Sequence, residues 1–147
     1  MSAQPGNHAE GYQTRATGGG AHSEGATTLA SGANSHAEGN TTTASGANSH
    51  TEGNATDATA TNSHAEGNST HVYGSQGHAE GSFTIARGGN SHAEGQGNSS
   101  TTYGISYNNT KYYLGATGTG SHCEGFSTVA YGNYSHAEGS STLAIGI

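Results

Sequence analysis

Ser35-His36-Ala37-Glu38-Gly39-Asn40-Thr41-Thr42-Thr43-Ala44-Ser45-Gly46-Ala47-Asn48 is one full period of this chain. His-x-Glu-Gly begins at His8, His22, His36, His50, His64, His78 and His92, 14 residues apart each time, and returns at His122 and His136. All nine glutamates and nine of the ten histidines lie inside that phrase. Self-similarity at a fixed period marks a repeat architecture, in which each unit buries a face against the next.

The period divides into two sevens, each reading Ser/Thr-x-small-x-Gly-x-x. Alternation over five residues, then Gly and two polar residues, predicts a short strand and a turn. Gly at every seventh position and abundant Ser and Thr disfavour a helix. Alternate side chains of a strand share a face. Ser35, Ala37 and Gly39 therefore point one way and His36 and Glu38 the other. Two strands per period, stacked turn on turn, predict an all-β coil with an interior of Ser, Thr, Ala and Gly. Cys123 takes one of these inward slots as a compact buried thiol. At about 4.8 Å per turn, about ten turns make a rod of roughly 48 Å.

Residues 1–147 read as a single repeat domain with one fault. Between Gly95 and Tyr103 the chain is two residues too long, which places an insertion near 96–97. The turn over 105–118 is degenerate, with Asn108-Asn109-Thr110-Lys111 where His-Ala-Glu-Gly belongs. The expectation is a bulge followed by one altered layer.

Composition narrows the function classes. Eleven residues are Leu, Ile, Val or Phe, far below the roughly 20% at which disorder becomes a serious reading. Charged residues are only 9%, and disorder usually needs strong charge as well. An ordered repeat without a conventional core fits both numbers. The net charge of −7 comes almost entirely from the motif glutamates. No basic patch points to nucleic acid, and no apolar run of about 18 residues points to membrane insertion. The N-terminus shows neither a basic nor an apolar signal-peptide region. A single cysteine excludes an internal disulfide.

The two outer faces differ. The first-half outward slots are almost always His and Glu. The second-half slots vary, as in Arg15/Thr17, Asp57/Thr59, His71/Tyr73, Ile85/Arg87 and Val129/Tyr131. A constant face implies a constant neighbour, and a ladder of identical faces suits a symmetry axis. A coil with so little apolar volume gains burial by association. The expected interface residues are His8, Glu10, His22, Glu24, His36, Glu38, His50, Glu52, His64, Glu66, His78, Glu80, His92, Glu94, His122, Glu124, His136 and Glu138. Each imidazole would meet a carboxylate of a sister chain. Should these glutamates have depressed pKa values, acid would loosen the assembly.

Ser/Thr-x-Ala-x-Gly-x-x resembles the head repeats of trimeric autotransporter adhesins, the YadA-like head, whose usual phrase is Ser-Val-Ala-Ile-Gly. Leu143-Ala144-Ile145-Gly146 is close to that phrase, and Ser135-His136-Ala137-Glu138-Gly139 fits the same frame with a polar pair. The resemblance implies a left-handed parallel β-roll, a homotrimer, and Val/Ile slots facing the trimer axis. It further implies a non-catalytic structural or adhesive head segment at the cell surface. A trimeric phage tail-fibre or spore-surface element built from the same repeat is the alternative.

Other chemistries carry less. Three axial histidines around such an axis would suit zinc or nickel, but the adjacent glutamates account for them, and neither metal nor cofactor is expected. Catalysis is not expected, because alternation sends Ser35 to the face opposite His36. Ice binding would need an outward threonine array, whereas the regular Thr lies in the inward set. The candidate ligand face is Tyr73, Arg87, Tyr103 and Tyr131, with Tyr112 and Tyr113 nearby. A host matrix protein or glycan is the partner class such aromatics would meet, and plain β-propensity on an exposed sheet is the preferred explanation of them. His71 reads as a solvated side chain.

Overall fold

The computed structural model describes residues 6–97 and 105–146. A typical turn supplies a five-residue strand, such as His36–Asn40, and a two-residue strand, such as Thr43–Ala44. The long strands, from His8–Tyr12 to His136–Ser140, form one nine-stranded sheet. The short strands, from Arg15–Ala16 to Leu143–Ala144, form a second nine-stranded sheet. Both are parallel, and successive turns pair in register one period apart, His22 on His36 and Glu24 on Glu38. The result is a parallel β-solenoid with no helix among the described residues. The described residues make nine turns, where the repeat arithmetic suggested about ten.

The interior is one side chain thick. Ala37, Ala65, Ala79, Ala93 and Cys123 from the long strands meet Ala44, Ala58, Val72, Ala86 and Ala130 from the short ones, all buried. Thr42, Thr56 and Thr70 are buried beside them, as expected of the inward set. Ser35 and Ser49 donate their hydroxyls to the carbonyls of Gly32 and Gly46 at 2.7 Å, closing one corner of each turn. The Cys123 thiol is pushed up to about 11 by burial.

Besides the glycine after each Glu, a typical turn closes through two left-handed residues. One corner uses Thr27 or Thr41 at φ 59° and 57°, and the other uses Asn34, Asn48 or Asn62. The asparagines form their own ladder, Asn34 Nδ2 donating to Asn48 Oδ1 at 3.3 Å and Asn48 Nδ2 to Asn62 Oδ1 at 3.1 Å. Gly39 departs from simple alternation. It is exposed, with φ +106°, and a β-carbon there would overlap the carbonyl oxygen of Gly53. Its role is the bend that leaves the long strand.

The fault in the repeat is an insertion and not an altered layer. His92 pairs directly with His122, and Ala86 with Ala116, so no turn lies between them. The 30 residues from His92 to His122 are one period of 14 plus 16, and the extra 16 are residues 98–113. Leu114 then fills the buried slot that Thr84 and Thr128 hold on the neighbouring turns. Within the insertion, Ile105–Tyr107 pairs antiparallel with Thr110–Tyr112. Asn108 and Asn109, at φ 49° and 59°, make the two-residue turn. Two consecutive left-handed residues suit the twist of a tight hairpin. Tyr112 and Leu114 pack on Val129, with Ile105, Leu143 and Ile145 around them, giving the hairpin a small apolar seat outside the coil.

Candidate functional site

The nine motif histidines and nine glutamates all project from the outer side of the long-strand sheet. From His22 to His136 the rings form a parallel stack, centroids 4.6–4.9 Å apart and planes within 4°. At the open end His8 tips to 71°. The stack follows from in-register pairing, because one identical side chain per turn repeats at the strand spacing.

Carboxylates flank each ring without quite bonding it. His36 Nε2 lies 3.6 Å from Glu24 and 4.0 Å from Glu38, and His78 Nε2 lies 3.6 Å from Glu66. Only the end pair, His8 and Glu10, comes within hydrogen-bonding distance, 3.2 Å. The Nε2 atoms of His22, His36, His50, His64, His78, His92 and His122 are shut off from solvent and have no hydrogen-bond partner in the chain. The side chains themselves are only partly covered, about a third exposed at His36 and Glu38.

The row of acids settles into alternation. A proton shared with Glu52, then partial burial, holds Glu38 up at about 7. Glu66 sits at about 7 through protons shared with Glu52 and Glu80. Glu24, Glu52 and Glu80 are lowered, mainly by hydrogen bonds from their protonated neighbours. The rungs are chemically equivalent, so the alternation belongs to the row and not to one residue. His36 and His64 are lowered, first by burial and then by neighbouring imidazoles. In the single chain the glutamates do not share one direction: Glu38 and Glu66 are raised while Glu24, Glu52 and Glu80 are lowered, and His36 and His64 favour the neutral form.

Beside the glutamates runs an open groove of about 1210 Å³, lined by Glu24, Glu38, Glu52, Glu66, Glu80, Glu94 and Glu124 and by the glycine that follows each. The glycines make its floor, since they carry no side chain to fill it. Alternation had turned them inward, which hid the groove from sequence. The signal that reveals it is Gly in every copy of a slot next to an outward Glu.

Triads such as His22, Glu24 and His36 bring three ligand-type atoms within 4.8 Å. The donor types suit zinc. The stack, however, holds the two rings parallel with centroids 4.6 Å apart, so one ion at about 2.1 Å from each nitrogen cannot lie in both ring planes. Binding would require the rings to unstack. The motif serines offer no nucleophile to the histidines: Ser35 is buried and bonded inward to Gly32.

The variable face contains a second cluster. Arg87 lies between two tyrosines, its guanidinium carbon 5.7 Å from the Tyr73 ring and 4.9 Å from that of Tyr113, and it donates to the Leu114 carbonyl at 3.2 Å. Tyr131 stands edge-on to Tyr112, centroids 5.0 Å apart. Tyr103 lies outside the described residues. His71 is not simply solvated, for its Nδ1 is 3.1 Å from Asp57 of the preceding turn. Ile85 and Val129, expected on the outer face, are buried. Tyr112 and Leu114 cover Val129, a contact invisible without knowing that the insertion folds back.

No protein-family model matches the chain, and no curated protein is similar to it.

Proposed function

We propose that this chain is a rigid, non-catalytic rod, a structural or adhesive head segment of a trimeric cell-surface protein. Its His/Glu ladder forms the seam between three chains. The observation that supports this reading is the set of seven Nε2 atoms closed to water and left without partners on a lone chain. A polar atom hidden from solvent and unbonded costs roughly 1–3 kcal/mol, and one hidden at the same place on seven turns calls for a partner repeating at the same spacing. A second copy of the chain offers carboxylates at the same period, and these reach the Nε2 atoms once the side chains now covering them turn aside. The adjoining glycine-floored groove gives the sister chain room to approach.

Light scattering on purified protein at neutral pH tests the proposal. The expected mass is near three times 14.6 kDa, and Glu52→Lys with Glu66→Lys lowers it toward one chain. A wild-type mass of 14.6 kDa across the micromolar range overturns the seam.

A further inference from the structure

The outer row of the short-strand sheet carries Thr17, Ser31, Ser45 and Thr59 on its early turns, then changes to Tyr73, Arg87 and, past Thr117, Tyr131. The change coincides with the hairpin, which adds Tyr107, Tyr113 and Lys111. Tyr73, Tyr107, Tyr113 and Tyr131 are each close to half exposed. Two of the three basic residues of a chain with net charge −7 fall here. Of the seven large aromatics exposed among the described residues, four lie here, and aromatics grouped with basic residues mark an interaction site.

We propose that this Tyr/Arg platform binds an acidic saccharide, a sugar chain bearing ring carboxylates. Arg87 is held between two ring faces and anchored to Leu114, so its remaining N–H groups are fixed before any ligand arrives. A planar guanidinium held in place suits a carboxylate, which it grips through two parallel hydrogen bonds. The flanking phenol rings offer a flat apolar face and a hydroxyl each, matching a sugar ring that has one apolar face and a polar rim. Positive charge in an acidic molecule selects an anion. The one acid nearby on this face, Asp57, is engaged by His71. An acidic peptide is the poorer fit: extended peptides use a free strand edge or a groove. The sheet strands beneath, His71–Val72 and Ile85–Ala86, are paired on both sides, and the free edges of the hairpin are only three residues long. The long groove lies among the glutamates instead. The platform is made by one chain and stands whether or not the chains associate.

Calorimetric titration of the full chain with a hyaluronan hexasaccharide tests it, beside a neutral N-acetylglucosamine hexamer and hexaglutamate. Binding is expected for the uronate chain, at least tenfold weaker for the other two. Arg87→Gln and Tyr73→Ala should each weaken it at least tenfold, while Tyr12→Ala, exposed on the first turn, changes nothing. Tyr73 lies outside the apolar seat of the hairpin, so its variant reports on the site even if Arg87→Gln loosens the hairpin. Absence of uronate binding, or unchanged binding in the Tyr73→Ala protein, overturns the assignment. Equal binding of hexaglutamate overturns it in favour of an acidic peptide, and equal binding of the neutral hexamer removes the role of Arg87.

Discussion

At the scale of single residues, the fold is most sensitive where it has least side chain. Gly39 adopts φ +106° with the next turn's carbonyl where its β-carbon would go. A substitution therefore combines backbone strain with an overlap that rigid strands cannot relieve. Gly39→Ala should cost about 2–4 kcal/mol. Gly89→Ala, whose β-carbon would meet only the Ser75 carbonyl at 3.8 Å and whose φ is ordinary, should stay within about 0.5 kcal/mol of wild type. Thermal melting of the two variants checks the contrast, and equal midpoints would refute it. The inward Thr and Ala columns were legible from alternation alone, because they lie in the middle of regular strands. Gly39 was not, since it sits where the strand bends and the period-2 rule stops applying. The pairing of His71 with Asp57 was also hidden. The two are 14 residues apart, and only the stacking of successive turns makes them neighbours.

At the scale of elements, the coil and its insertion are separable. The two sheets were legible because each seven carries its own strand and turn signals. The insertion was misread because 16 is close to 14: two surplus residues plus a full period look like a bulge and a layer. Asn108-Asn109 flanked by Tyr107 and Thr110 was the available clue, a pair suited to two left-handed positions. Since His92 already pairs with His122, deleting residues 98–113 and joining Gly97 to Leu114 restores the 14-residue period. The shortened chain should fold with an unchanged β-sheet circular dichroism spectrum. Its melting point should be modestly lower, since Val129, Leu143 and Ile145 lose the cover of Tyr112 and Ile105. A deletion variant that loses the β signal altogether would show that the hairpin is needed for the coil.

At the scale of the whole molecule, the accessible surface is 6883 Å², close to the roughly 6900 Å² expected of a compact monomer of this mass. The case for sister chains therefore rests on what the outer face hides and not on excess exposed area. That face also sets the response to pH, and the two signs compete. His36 and His64 are lowered from 6.5, so their contribution is present above that value and is lost as pH falls through the folded pKa. Glu24, Glu52 and Glu80 are lowered from 4.5, and theirs is likewise lost in acid. Glu38 and Glu66 are raised to about 7. Their contribution is full below 4.5 and is lost as pH rises through 7, when the shared protons leave and adjacent carboxylates face each other charged. Replacing both with Gln isolates this branch, because the amide keeps the neutral state at every pH. The variant should match wild type near pH 4.5 and melt higher above pH 7. The gap should reach only a few degrees, since both carboxylates keep about a third of their surface in water, which screens them. Melting curves of the two proteins from pH 4 to 9 decide the matter. A gap that does not change with pH would mean that the glutamates of successive turns titrate independently.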